Sequence, residues 1–237
     1  MGAVSKFSAG FLLTFFLFNE VLFFLGLFIL ISIIIIYYLP KTKISFQKVN
    51  LYFNDIKHKR TIIFLILLFI FTLHWGVENT TYSLFLKNNL NLSMVEIGLY
   101  MSIPIIFLSL FAVLIGHWYD NGLTHKKIFF IAFILSGFGL FMMALFNDPF
   151  ISFIFRVIHE IGDGAFIIFM LIGTSSYFPK ARIGGGYGFV TLTLVISQMV
   201  GALIFSPIGQ AYGYHVPHLI VGALIFFSGF LVFLIKK

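Results

Sequence analysis

The sequence predicts an all-α protein, a polytopic bundle of about seven transmembrane helices. Apolar residues fill 60% of the 237 positions and charged residues only 10%, whereas soluble domains carry roughly 45–50% and 25%. Several apolar runs reach the roughly 20 residues that a helix needs to cross the hydrocarbon core. These runs do not alternate apolar with polar residues as the strands of a membrane barrel do. Because backbone groups in lipid must bond internally, helices are the remaining solution.

Seven stretches are long and apolar enough to cross a bilayer. The first is 19–39, and residues 7–18 before it either extend this span or form the end of a preceding helix. Polar or turn-forming breaks separate the six others, which are 61–86, 93–117, 127–146, 149–178, 185–211 and 214–235. The chain is therefore expected to have three parts: an N-terminal hydrophobic segment (1–39), a basic loop (40–60) and a six-helix bundle (61–237).

The basic residues predict how the helices are oriented. Lys and Arg accumulate in cytoplasmic loops, and twelve of the 15 fall on one side of the predicted topology, six of them in the loop 40–60. The loop and the C-terminus are therefore expected to face the cytoplasm, in the cell (inner or plasma) membrane. Because the net charge of +7 is explained by orientation, no nucleic-acid partner is expected.

Enzyme chemistry finds little support in the sequence. Cysteine is absent, which excludes disulfides and cysteine metal sites. His159, Glu160 and Asp163 are similar to part of a zinc-protease helix, which needs a second His where Asp163 stands. We therefore expect no enzyme activity, no cofactor and no metal.

Ionisable residues inside the spans are concentrated in two helices. Such a group costs at least about 2.5–3.5 kcal/mol at the bilayer centre, so it usually has a function. Span 61–86 carries His74 and Glu78 with Asn79 beside them, and span 149–178 carries Arg156, His159, Glu160 and Asp163. Within each span, spacings of three, four or seven residues place ionisable side chains on one face of the helix.

Depth along the two helices predicts which of these residues meet. At 1.5 Å per residue, Glu78 lies level with Arg156, and His74 lies level with Glu160. The hypothesis is a polar cluster in which Arg156 partly neutralises three carboxylates. It would form a substrate or proton pathway, to which His159, Asn79 and Gln198 are added as candidates. The alternative is an ion-pair network that only holds the helices together.

A family resemblance appears after span 93–117. The chain there reads Gly116-His117-Trp118-Tyr119-Asp120-Asn121-Gly122, followed by Lys126 and Lys127. This resembles the cytoplasmic loop signature of the major facilitator superfamily, with Asn121 where that family usually has Arg. The resemblance implies a conformational latch formed by Gly116, Asp120, Lys126 and Lys127. An ordinary turn with cytoplasmic positive charges is the alternative.

Two further stretches are similar to the same family, across about 61–237, or 19–237 with the first span. Residues 155–165 resemble its Arg-bearing, Gly-rich helix, and residues 201–209 resemble its Gly/Pro helix. The family has twelve helices in two halves joined by a long cytoplasmic loop. The resemblance therefore implies helix six, the central loop and helices seven to twelve, which is the C-terminal half. The alternative makes 61–235 the first half.

The resemblance implies secondary active transport of an unidentified small solute by alternating access. The chain would act as a partial or split transporter, and the resemblance leaves open whether transport is coupled to protons. The expected partners are a small-molecule substrate, protons, the lipid bilayer, and a second transporter half or another copy. The alternative is a non-transporting seven-helix membrane protein, such as a sensor or an assembly factor. Four other histidines, His117, His125, His215 and His218, are expected near the interfaces in contact with solvent.

Overall fold

The computed structural model describes residues 18–38 and 48–231, and these residues form helices without any strand. The chain divides into two compact units, residues 1–48 and 49–237. Helix α1 (Phe18–Tyr37) belongs to the first unit. The question about residues 7–17 and the positions of the C-terminal lysines lie outside the described residues.

The second unit contains the remaining described helices. In chain order they are α2 (Val49–Asp55), α3 (Lys59–Val77), a π-helical turn (Glu78–Tyr82), α4 (Ser83–Asn88), α5 (Met94–Asp120), α6 (His125–Leu145), α7 (Pro149–Tyr177), a 3-10 turn (Lys180–Arg182), α8 (Ile183–Tyr212) and α9 (His215–Gly229).

Seven apolar helices occupy the seven predicted stretches. Five helices in the described part of the chain are long and apolar enough to cross a membrane: Lys59–Asn88, Met94–Asp120, His125–Leu145, Pro149–Tyr177 and Lys180–Tyr212. Two shorter apolar helices, Leu22–Ile34 and His215–Gly229, lie in the first and last predicted stretches. The predicted fold class, an all-α transmembrane bundle, is confirmed.

Local sequence explains where several helices begin. Ser93 and Glu96 form a capping box, in which each side chain accepts a hydrogen bond from the other residue's backbone N–H. Asp148 accepts a hydrogen bond of 2.8 Å from the Ile151 N–H, directly before Pro149. Such caps satisfy N–H groups that have no partner inside the helix, and proline lacks this N–H altogether.

Glycines set the closest helix crossings. At the α6–α7 crossing, a Cβ added at Gly162 would lie 2.7 Å from the Ser136 Cα. At the α3–α8 crossing, Gly76 faces the backbone of Gln198 in the same way. Small residues let membrane helices approach this closely. Gly116 is different, because a Cβ there would meet its nearest neighbour at an ordinary 3.9 Å.

Helix α2, in the predicted basic loop, is docked on the start of α8. Arg182 donates two hydrogen bonds to the Asp55 carboxylate, from Nη2 at 2.7 Å and from Nε at 2.8 Å. The Phe53 ring packs edge-on against Phe189 with centroids 5.8 Å apart. The hydrogen bonds from Arg182 lower the pKa of the Asp55 carboxyl from its ordinary value of 3.8, against the opposing effect of burial.

This ion pair predicts an acid-sensitive contact. A carboxyl whose pKa is lowered by folding adds stability above its unfolded pKa and loses it as the pH falls through the folded value. We expect Asp55→Asn to lower the unfolding temperature near neutral pH. The difference from wild type should shrink as the pH falls below about 3.8 and should disappear below the lowered pKa of the folded state. Thermal unfolding in detergent across pH measures this. Asp120→Asn, at an exposed position, is the control, and an equal effect there would contradict the assignment.

Candidate functional site

Helices α3 and α7, with the π-helical turn that follows α3, bring ionisable residues together inside the bundle. Five of them are exposed by 5% or less, and the sixth, Glu78, exposes 15% of its side chain. We call this set the buried ion cluster; it consists of His74, Glu78, Arg156, His159, Glu160 and Asp163.

Arg156 is the central cation of the buried ion cluster. Its guanidinium donates hydrogen bonds to Glu78 from the neighbouring element and to Glu160 one turn along α7. It also lies over the Tyr82 ring, 4.4 Å from the centroid, a contact in which the ring face attracts the charge. One guanidinium therefore serves two carboxylates and one aromatic face.

Asp163 collects donors from two other helices. Its Oδ2 accepts from Trp75 Nε1 at 2.9 Å and lies 3.2 Å from His74 Nε2, while its Oδ1 accepts from the Ser136 hydroxyl at 2.7 Å. Glu78 was predicted to lie at the same depth as Arg156, and the two side chains form an ion pair. His74, which was placed level with Glu160, contacts Asp163 instead, because the helices are rotated so that Asp163 faces α3.

The two histidines are oriented by backbone carbonyls. His74 Nδ1 donates to the Phe71 carbonyl at 2.5 Å, and His159 Nδ1 donates to the Ser136 carbonyl at 2.9 Å. Because a carbonyl oxygen only accepts, each Nδ1 carries a proton. Each Nε2 therefore faces carboxylate oxygen either as an imidazolium donor or, in a neutral ring, with its lone pair.

The His159 Nε2 atom is the least satisfied atom of the cluster. It lies 3.2 Å from Glu78 Oε1 and 3.8 Å from Asp163 Oδ1. The first contact is not aligned for a hydrogen bond and the second is too long for one, so this fully buried nitrogen has no hydrogen-bond partner among the described residues. The ring centroids of His74 and His159 are 4.9 Å apart. Two imidazoles and a carboxylate thus converge on one small volume.

The formal charges of the cluster do not balance. Three carboxylates and one guanidinium give a net charge of −2 when the carboxylates are ionised and the imidazoles are neutral. Uncompensated charge is costly where the dielectric is low. The cluster therefore favours the uptake of positive charge, which protons or a bound cation can supply.

Glu78 begins the π-helical turn. Such turns interrupt α-helices rarely and are frequent at functional sites. The Thr81 hydroxyl donates to the Val77 carbonyl at 2.7 Å, and the Thr80 hydroxyl reaches the carbonyls of Gly76 and Val77. These bonds supply extra partners where the regular helical pattern is broken.

Two predicted pathway residues lie apart from the cluster. Asn79 is exposed, and Gln198 is partly exposed at the α3–α8 crossing. Neither makes a hydrogen bond to the cluster within the described residues. In contrast, Trp75, Tyr82 and Ser136 contact the cluster although sequence reasoning did not select them. Trp75 directly follows His74, which was an available signal, whereas nothing in the sequence distinguishes Ser136.

The proposed latch residues lie at the α5–α6 turn. Gly116 and Asp120 are in the last part of α5, and Lys126 and Lys127 are in the first turn of α6. The side chains of Asp120, Lys126 and Lys127 are exposed. No ion pair involves Asp120 within the residues that the structure describes. A latch role for this turn stays a prediction.

The expectation of solvated histidines is wrong for His218. This side chain is fully buried, with its Nε2 3.3 Å from the Thr81 hydroxyl and its ring against Tyr82 and Phe85. His125 is half-buried, and its Nε2 lies 3.0 Å from the Phe169 carbonyl. Nearness to a loop did not reveal which helix face each ring occupies.

Comparison with known proteins supports a family assignment. No curated protein matches the chain. The family model described as Major Facilitator Superfamily matches residues 64–237, which include nearly all of α3, the π-helical turn and every later helix. The match therefore contains the whole buried ion cluster and the α5–α6 turn. This chain belongs to the major facilitator superfamily of membrane transporters.

Proposed function

We propose that the protein performs secondary active transport of a small solute by alternating access, with the buried ion cluster as its coupling site. The observation that carries this proposal is the set of six ionisable residues, buried between apolar helices with a formal charge of −2. Ionisable groups at this depth are costly, and a structural role alone does not require an unbalanced set. Secondary transporters of this kind bind substrate and coupling ions near the bilayer midplane.

The charge deficit connects the cluster to coupling. When the cluster is closed to water, a positive charge bound there lowers its electrostatic free energy. A cycle that opens the cluster first to one side and then to the other would carry this charge across the membrane. Protons are the simplest such charge, and the imidazole and carboxylate groups can hold them.

Glu160→Gln tests this coupling. The substitution keeps the shape of the side chain, leaves Arg156 paired with Glu78 and removes one negative charge. We expect uptake into reconstituted vesicles to lose most of its dependence on an imposed pH gradient. A panel of solutes with an internal pH dye would be used, because the substrate is unidentified.

The control for this experiment is Glu96→Gln, at the exposed capping box of α5. It should preserve the response to the pH gradient, since Glu96 lies outside the cluster. If Glu160→Gln folds and shows the wild-type dependence on pH, proton coupling through the cluster is excluded. If no solute in the panel moves with any partner present, transport itself is contradicted.

We further infer that residues 61–237 work as the second half of a twelve-helix transporter, in the cell membrane with the C-terminus cytoplasmic. Helices α5 and α8 support this, since only 17% and 22% of their most apolar segments are buried, against 56% for the other long helices. The partner would be a first half or a second copy. Flux from vesicles that contain the chain alone, compared with vesicles that also contain a candidate first half, tests this arrangement.

A further inference from the structure

Three side chains of the buried ion cluster form a possible metal site. The nearest ligand atoms of His74, Glu78 and His159 all lie within 4.8 Å of one another. We propose that this site binds one divalent transition-metal ion of the zinc type through two imidazole nitrogens and one carboxylate oxygen. The proposal rests on the proposed function for its site and adds the class of cation that this site takes.

The orientation of both rings is the first argument. Each Nδ1 proton is used by a backbone carbonyl, of Phe71 for His74 and of Ser136 for His159. Nε2 is therefore the ligand atom on each ring: on His159 it has no hydrogen-bond partner among the described residues, and on His74 it now contacts Asp163 Oδ2, which the ion would replace. Metal-binding histidines almost always donate their other ring N–H to a carbonyl or carboxylate, which sets the tautomer and the direction of the ring.

The contact between His159 and Glu78 is the second argument. Around a tetrahedral ion with bonds of about 2.0–2.2 Å, two ligand atoms lie roughly 3.4 Å apart. Their lone pairs are directed at the ion and not at each other, so the two atoms are not aligned for a hydrogen bond. His159 Nε2 and Glu78 Oε1 are 3.2 Å apart and are not aligned for a hydrogen bond. This separation is close to that of two ligands that share an ion. His74 offers a ligand atom within 4.8 Å of both, and its Nε2 joins them by leaving its contact of 3.2 Å with Asp163 Oδ2.

Charge is the third argument. One divalent ion cancels the formal charge of −2 in the cluster while both imidazoles remain neutral, as metal ligands must be. Arg156 keeps its hydrogen bond to Glu160 when Glu78 binds the ion. Asp163 stays next to both rings, held by Trp75 Nε1 at 2.9 Å and the Ser136 hydroxyl at 2.7 Å, so it balances the charge from outside.

The ligand set selects the class of ion. Imidazole suits zinc, nickel and similar ions, whereas magnesium and calcium prefer oxygen ligands. Three protein ligands leave a tetrahedral ion one open position, as in sites that exchange water or substrate. A site that releases its ion during a transport cycle needs this incomplete coordination more than a closed structural site does.

Direct binding of metal tests the proposal. The full chain, purified in detergent without a histidine tag, would be titrated with Zn²⁺ by equilibrium dialysis and with Co²⁺ by visible absorption. We expect one ion per chain and the absorption bands of a tetrahedral Co²⁺ site. His74→Gln and His159→Gln should each weaken binding at least about tenfold. The exposed His117→Gln is the matched control and should bind as wild type does.

The unfolding temperature of the wild-type protein provides a second measurement, which tests the proposal even if the variants misfold. A ligand that binds the folded state raises the unfolding temperature, so Zn²⁺ should raise it and Mg²⁺ should not. No saturable Zn²⁺ binding to wild type, or binding weakened equally by His117→Gln, would overturn the proposal. Solute flux without metal binding would leave the proposed function standing, and metal binding without any flux would contradict only that function.

Discussion

Replacing Arg156 with Gln is expected to destabilise the protein by about 3–5 kcal/mol, the usual cost of removing one partner from a buried ion pair. The guanidinium is the only cation of fixed charge in the buried ion cluster, and it contacts both Glu78 and Glu160. Without it, both carboxylates remain buried and lose their guanidinium partner. The contact with the Tyr82 ring, 4.4 Å from the guanidinium carbon, is lost as well.

Denaturant or thermal unfolding in detergent measures the effect. The exposed Arg60→Gln removes the same charge from the surface and should change stability by no more than about 0.5 kcal/mol. The double variant Arg156→Gln/Glu78→Gln should regain part of the lost stability, because one unpaired carboxylate is then removed. If Arg156→Gln and Arg60→Gln have similar stabilities, the guanidinium does not hold the cluster together.

Gly162→Leu is expected to separate α6 from α7 and to cost about 1–3 kcal/mol or more, the usual range for adding atoms to a packed interior. A Cβ at this position would already lie 2.7 Å from the Ser136 Cα, and backbone cannot move aside as a flexible side chain can. Displacement of Ser136 would also break its hydrogen bond of 2.7 Å to Asp163. The substitution should therefore reduce both stability and transport.

Gly98→Leu provides the matched control for this prediction. Gly98 also lies inside a helix, yet an added Cβ would meet nothing within 4 Å. Both variants replace a helical glycine with the same residue, so they differ mainly in what the new side chain meets. Equal unfolding temperatures for the two variants would show that the α6–α7 crossing is not as close as the structure has it.

The order and approximate bounds of the helices could be predicted from the sequence. Length and hydropathy decide whether a segment crosses lipid, and both are properties of consecutive residues. The positions at which helices begin also depend on neighbouring residues in the chain. The capping box of Ser93 with Glu96 and the cap of Asp148 before Pro149 are two examples. The π-helical turn at Glu78 was not foreseen, because its hydrogen-bond pattern depends on the helices that pack around it.

About half of the candidate site followed from sequence. Spacing along one helix placed Arg156 beside Glu160, and depth placed Glu78 level with Arg156. Residues that join the cluster from other helices were missed, as Ser136 and the pairing of His74 with Asp163 show. Asn79 was selected because it neighbours Glu78, but it is exposed and makes no hydrogen bond to the cluster among the described residues.

Composition, the length of the apolar runs and residue spacing were enough to predict a polytopic helical membrane protein, similar to one transporter family, with ionisable residues on two of its helices. The packing of the helices was needed to bring His74, Glu78 and His159 together and to leave His159 Nε2 without a hydrogen-bond partner among the described residues. These contacts depend on how each helix is rotated about its own axis. Depth follows from counting residues, whereas the direction of a side chain depends on crossings such as that of Gly162 with Ser136, which join residues far apart in the chain.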